Sequence, residues 1–129
     1  MLKINKQQLL SVFSLSSEER YKHFVKVIAD WEEVWGLYDE GWAISETDDG
    51  LKTFPCWPAK EYAQQCAIDT WSNYEAISIS TDEFIEEFLK DLENKSIYIS
   101  VFPNIEGHCI VQDASELAND LRDELELYT

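Results

Sequence analysis

The chain is 129 residues long, 45% hydrophobic and 13% aromatic, with a formal charge of -16; this suits one globular domain that buries roughly two-thirds of its unfolded surface. Residues 1–30 hold five basic groups (Lys3, Lys6, Arg20, Lys22, Lys26) against three acidic ones (Glu18, Glu19, Asp30), a net of +2, so residues 31–129 carry -18. Such a body repels phosphate backbones and anionic lipid, which argues against nucleic-acid and membrane-surface binding, while it serves solubility and speeds encounter with a basic protein partner.

Apolar Leu2, Leu9, Leu10 and Phe13 predict a short first helix. Ser16 and Glu19 have the spacing of a capping box, and Tyr21, Phe24, Val25, Ile28 and Trp31 line one face of the helix that follows. From Val34 the apolar period drops to two. Val34–Tyr38, a strand through Trp42 and Ile44, and Leu51–Phe54 read as a three-strand meander, turned at Asp39-Glu40-Gly41, where the glycine takes the left-handed position, and at Asp49-Gly50. Pro55 and Pro58 end the ladder, and Ala59, Tyr62, Ala63, Cys66 and Ala67 form a helical stripe.

Ile77 and Ile79 mark a fourth strand. Ser80 and Glu83 suggest a second capping box, opening a helix through Phe84, Ile85, Phe88, Leu89 and Leu92 to Asn94. Ile97, Ile99 and Val101 alternate in a fifth strand, Pro103–Gly107 turns, and Cys109–Gln112 is a sixth. Asp113 caps a last helix whose stripe runs from Ala114 through Leu117, Ala118, Leu121 and Leu125 to Tyr128.

The fold expected is α+β, mixed α/β. It is one domain over 1–129: a helical lead-in at 1–31, a Trp-rich meander at 34–58, and helix, strand, helix, hairpin and helix over 59–129. About six strands form one mixed sheet with helices mainly on one face, and strands four and five lie parallel across a helical crossover. Phe84, Phe88, Leu89, Leu117, Leu121, Ile77, Ile99 and Val101 are the expected core. The opposite face carries Ser45, Ser78, Tyr98 and Ser100 and is covered only in part.

Catalytic chemistry is not indicated. His23 and His108 have no metal-ligand spacing to a thiol or carboxylate, and His108 and Cys109, adjacent on a strand, point to opposite faces. The segment after Asp48-Asp49-Gly50 lacks the glutamate that closes a calcium loop, and four glycines build no phosphate cradle. Asp82, Glu83, Glu86 and Glu87 suit a helix start. No cofactor or metal is expected. Three cysteines without a CxxC pair, and no apolar segment long enough to span a bilayer, read as a reduced, cytoplasmic protein. Aromatic residues are enriched at binding surfaces, which makes Tyr38, Trp42, Trp57 and Tyr98 the candidate partner-binding set. The function expected is a non-enzymatic, acidic protein-binding module; the alternative is a small enzyme with a site assembled from scattered carboxylates and aromatics. A homo-oligomer fits either.

The run VWGLYDEGWAISETDDG, with FPCWPAKEYAQQCA and the later SVFP, resembles a bacterial domain-of-unknown-function family, the one numbered twenty-seven-fifty, over about Tyr21 to Leu121. The resemblance implies a small cytoplasmic α/β protein and brings no established activity. A more distant likeness in element order is to enhanced-serine-sensitivity and toxin-immunity domains.

Overall fold

A computed structural model describes residues 4–127, so Leu2, Lys3 and Tyr128 of the expected end helices lie outside the described residues. Asn5 opens α1 (Lys6–Phe13), its side chain accepting the Gln8 N–H at 2.8 Å. The capping box of α2 (Ser17–Trp31) is complete: Glu19 N–H donates to Ser16 Oγ at 3.1 Å, and Ser16 N–H donates to the Glu19 carboxylate at 3.2 Å. The helix stops on Glu32 at φ 64, a left-handed cap.

The expected meander does not form. β1 (Glu33–Tyr38) pairs antiparallel with the distant β4 (Glu75–Ser80), Val34 opposite Ile79 and Gly36 opposite Ile77. At the 39–41 turn the left-handed residue is Glu40 (φ 59) rather than Gly41; Asp39 N–H donates to Gly41 O and Ala43 N–H to Leu37 O, so only a Tyr38–Trp42 bridge remains before the chain swings away. The second turn is as expected. Gly50 takes φ 86 between β2 (Ser45–Glu46) and β3 (Lys52–Cys56).

A four-stranded sheet has the order β2-β3-β5-β6, with β5 (Tyr98–Val101) and β6 (Ile110–Gln112). Its β3–β5 pair is parallel and the other two pairs are antiparallel. The fourth and fifth strands are therefore not parallel neighbours, because β4 is committed to β1. The six strands divide into a two-stranded ribbon and this sheet, joined where Trp35 and Trp57 exchange backbone hydrogen bonds of 2.9 and 2.8 Å. The mixed α+β class stands.

Between the strands lie α3 (Lys60–Gln65) and a 3-10 turn at Asp69–Trp71. After β4 come α4 (Thr81–Glu83), a π-helical segment Phe84–Phe88 and α5 (Leu89–Asn94). Asp113 caps α6 (Ala114–Glu126), which packs on α2 and α5. Phe84, Leu89, Ile99, Val101, Leu117 and Leu121 are buried in one cluster, each large side chain contributing about 1.5–3 kcal/mol. Phe88 is half-buried against that cluster. Ile77 is not core: it is 39% exposed, and on this strand Ile79, opposite Val34, carries the burial. Gly36 is required for space, since a Cβ there would stand 3.0 Å from both Phe54 Cζ and Trp42 Cζ3.

Candidate functional site

Alternation gives the four-stranded sheet two unlike faces. Phe54, Cys56, Ile99 and Val101 are fully buried on one, where Phe54 meets Phe88 at 4.9 Å between ring centroids. Thr53, Pro55, Ser100 and Val111 belong to the other and, with Ser45 opposite Thr53, form the floor of a cleft of about 730 Å³. The expectation that Ser45 and Ser100 share an incompletely covered face is met. Ser78 lies instead on the two-stranded ribbon; Tyr98, opposite Thr53, shares the expected face but lies outside the cleft, in a hollow beside Ser96 and Asp113.

One wall of the cleft is the segment after β5, held by an arginine that sequence patterning overlooks. Arg20 is 2% exposed, and its guanidinium spends every donor on neutral oxygens. Nε donates to Phe102 O at 3.1 Å; Nη1 donates to Phe13 O at 3.3 Å and to Leu15 O; Nη2 donates to Ser17 Oγ at 3.1 Å and to His108 O at 2.8 Å. The end of α1, the start of α2 and both ends of the 102–108 wall thus meet on one side chain. Among the described residues no carboxylate forms an ion pair with Arg20. The signal was present: Arg20 stands four residues before Phe24 and eight before Ile28, on the apolar stripe rather than the wet face.

Phe102 sits at φ 54, a left-handed conformation that costs a bulky residue about 1–3 kcal/mol. The surroundings over-determine it. Its N–H donates to Cys56 O at 2.9 Å, its carbonyl accepts from Arg20, and the next carbonyl, Pro103 O, accepts from Trp57 Nε1 at 2.9 Å and from Cys66 Sγ at 3.6 Å. The strained Phe-Pro corner therefore joins the cleft wall to the core beneath it.

The floor is a chain of hydroxyls. Ser100 Oγ donates to Thr53 Oγ1 at 2.6 Å, and Thr53 Oγ1 lies 2.6 Å from Ser45 Oγ. Beside them the Cys109 thiol is raised above its ordinary pKa by burial, a rise opposed by a Ser100 hydrogen bond and by Arg20. Burial likewise pushes Cys66 up to about 12 and Cys56 well up. These thiols stay protonated at neutral pH and are poor nucleophiles. The edges of the cleft are different in character: Glu46, Asp48, Asp69 and Glu106 line it together with Trp71, Ile68 and Ile105, and neither lysine nor arginine does. Among the described residues no group of three or more His, Cys, Asp and Glu side chains is placed to hold a metal ion.

The four aromatic candidates do not form one surface. Tyr38, 41% exposed, packs edge-on against half-buried Trp42 at 5.1 Å, and Trp42 packs in turn on Phe54 and Phe88. Trp57 is fully buried beneath the cleft with its indole N–H bonded, so it presents nothing to a partner. Half-buried Tyr98 lies apart from the other three. Sequence reading also missed Trp71 and Asp69, which a 3-10 turn brings to the cleft edge.

Residues 21–121 match the family described as Protein of unknown function (DUF2750), and the chain belongs to that family. No curated protein and no solved structure gives a significant match. No helix among the described residues is long and apolar enough to cross a membrane.

Proposed function

We propose that this member of the family is a non-enzymatic cytoplasmic binding module, regulatory or immunity-like, whose cleft takes a basic segment of another protein. The observation that carries the reading is the composition of the cleft edge: four carboxylates, three large apolar side chains and neither lysine nor arginine. Aliphatic stems of lysine or arginine pack on Trp71, Ile68 and Ile105 while their charges meet the acids. The floor supports binding over catalysis, because its hydroxyls bond one another and its thiol is held protonated.

A blocked nonamer of arginine, titrated into isotope-labelled protein, tests this. Amide shifts are expected at Ser45, Thr53, Trp71 and Val111, with affinity falling steeply with salt. Changing Glu46 and Glu106 to Gln, and Asp48 and Asp69 to Asn, is expected to weaken binding on the order of tenfold, mainly through slower association. Shifts elsewhere only, or equal binding of a glutamate nonamer, would overturn the reading.

A further inference from the structure

The ribbon of β1 and β4 carries a second feature, away from the cleft. In its register Thr81 N–H donates to Glu32 O, and Trp35 turns its own N–H and carbonyl away from β4 toward Trp57. Hydrogen-bonded pairs alternate along an antiparallel ladder, so Glu75, Ile77 and Ile79 bond to β1 while Ala76 and Ser78, and the N–H of Ser80, face outward. No backbone hydrogen bond of the described chain takes these outward groups. The strand is six residues long and contains no proline, lysine or bulge, three of the devices that block strand addition, although it starts on Glu75 and α3 packs against it.

At one end of that edge lies a hollow of about 440 Å³ lined by Trp31, Glu32, Glu33, Ser78, Ser80 and Asp82. Glu33, Ser78 and Ser80 share one face of the ribbon by register and alternation. Three carboxylates, those of Glu32, Glu33 and Asp82, line it between the C-terminus of the 15-residue α2, whose last turn has no basic residue, and the first turn of α4. Glu33 Oε2 is buried without a hydrogen-bond partner, and Trp31 lines the same hollow, an aromatic residue type that attracts cations.

We propose that β4 accepts an extended basic segment of a protein partner as an added strand. Main-chain bonds run to Ala76, Ser78 and Ser80, and a lysine or arginine opposite Ser78 or Ser80 enters the hollow to meet Glu33 and Asp82. In an added antiparallel strand, residues directly opposite share a face, so an alternating pattern of basic residues brings every charge to the acidic side. A second copy of this chain is a poor occupant, since it brings another charge of -16 to an already acidic edge.

The probe is a blocked nonapeptide alternating lysine and threonine, with its glutamate–threonine counterpart as control, followed by amide hydrogen exchange. At about ten times its Kd the lysine peptide is expected to slow exchange at Ala76, Ser78 and Ser80 by roughly tenfold. Ser78→Pro removes only an outward N–H, which an edge strand tolerates, and is expected to abolish that protection without unfolding the ribbon. If that variant does not fold, Glu33→Gln with Asp82→Asn serves instead, and the preference for lysine over glutamate is expected to fall by at least about fivefold. Protection of the cleft amides alone, equal protection by the glutamate peptide, or concentration-dependent protection of β4 in a dimer without peptide would each overturn the proposal. The cleft reading stands or falls separately, because its amides lie on the other sheet.

Discussion

Replacing Arg20 by methionine removes five hydrogen bonds while roughly keeping the volume of the side chain. Four backbone carbonyls, those of Phe13, Leu15, Phe102 and His108, then lose a charged donor. A buried acceptor left unsatisfied costs about 1–3 kcal/mol, but His108 and Leu15 lie near the surface and water replaces part of what they lose. Phe102 O is the acceptor with no such relief, and it belongs to the residue held at φ 54. Counting full cost there and partial cost at the others, offset by the desolvation that an unpaired guanidinium no longer suffers, the loss comes to about 3–5 kcal/mol. That is a large fraction of the stability of a domain this size. Urea unfolding followed by tryptophan fluorescence measures it as a drop in midpoint at unchanged slope. Arg20→Lys, with three donors on a point charge, is expected to recover less than half. A methionine variant within about 1 kcal/mol of the parent, with exchange at 103–108 unchanged, would refute the idea that this side chain holds the wall.

Two further outcomes follow from particular contacts. Gly36→Ala is expected to cost about 1–3 kcal/mol by thermal unfolding, because its methyl must displace the rings of Phe54 and Trp42, whereas Gly41→Ala, with open space around it, is expected to cost little. Asp113 has its pKa lowered below 3.8 by the Ser115 hydroxyl and by the amides of Glu116 and Ser115. Its cap is therefore fully stabilising above the unfolded-state pKa and is lost as pH falls through the lower folded value. Asp113→Ala is expected to cost about 1 kcal/mol at pH 7 and to flatten the acid limb of the stability curve below pH ~4, read by circular dichroism.

Local chemistry was legible in the residues, and distant pairing was not. The box at Ser16 and Glu19, the cap at Asp113, the turn at Gly50 and the stripe through Leu117 and Leu121 each depend on neighbours within four residues. By contrast, β1 chose β4 across the intervening hairpin and α3, a decision made by packing Val34 and Gly36 against a core that no local pattern displays. Ile77 misled because alternation shows which face a residue shares but not where along the strand the cover ends. For the cleft, Ser45 and Ser100 could be placed on one face by period alone, but the buried arginine behind it was counted only as charge. Aromatic content pointed to Trp57, and its fully buried, hydrogen-bonded indole belongs to the interior.

The arginine clasp also bears on how the chain reaches its fold. Arg20 donates to the carbonyl of His108 across 88 positions, and β3 meets its parallel neighbour β5 only after α3, β4 and the π-helical segment have been made. During synthesis α1 and α2 emerge before the strands, with an arginine on their apolar face that can reach Phe13, Leu15 and Ser17 but not yet the carbonyls of Phe102 and His108. That charge keeps the helix pair hydrated and disfavours early burial of Phe24 and Ile28 in a wrong partner. Arrival of the Phe102–His108 segment supplies the two remaining acceptors, so full burial of the arginine in the N-terminal half waits on the C-terminal one, and long-range pairing of this kind slows folding.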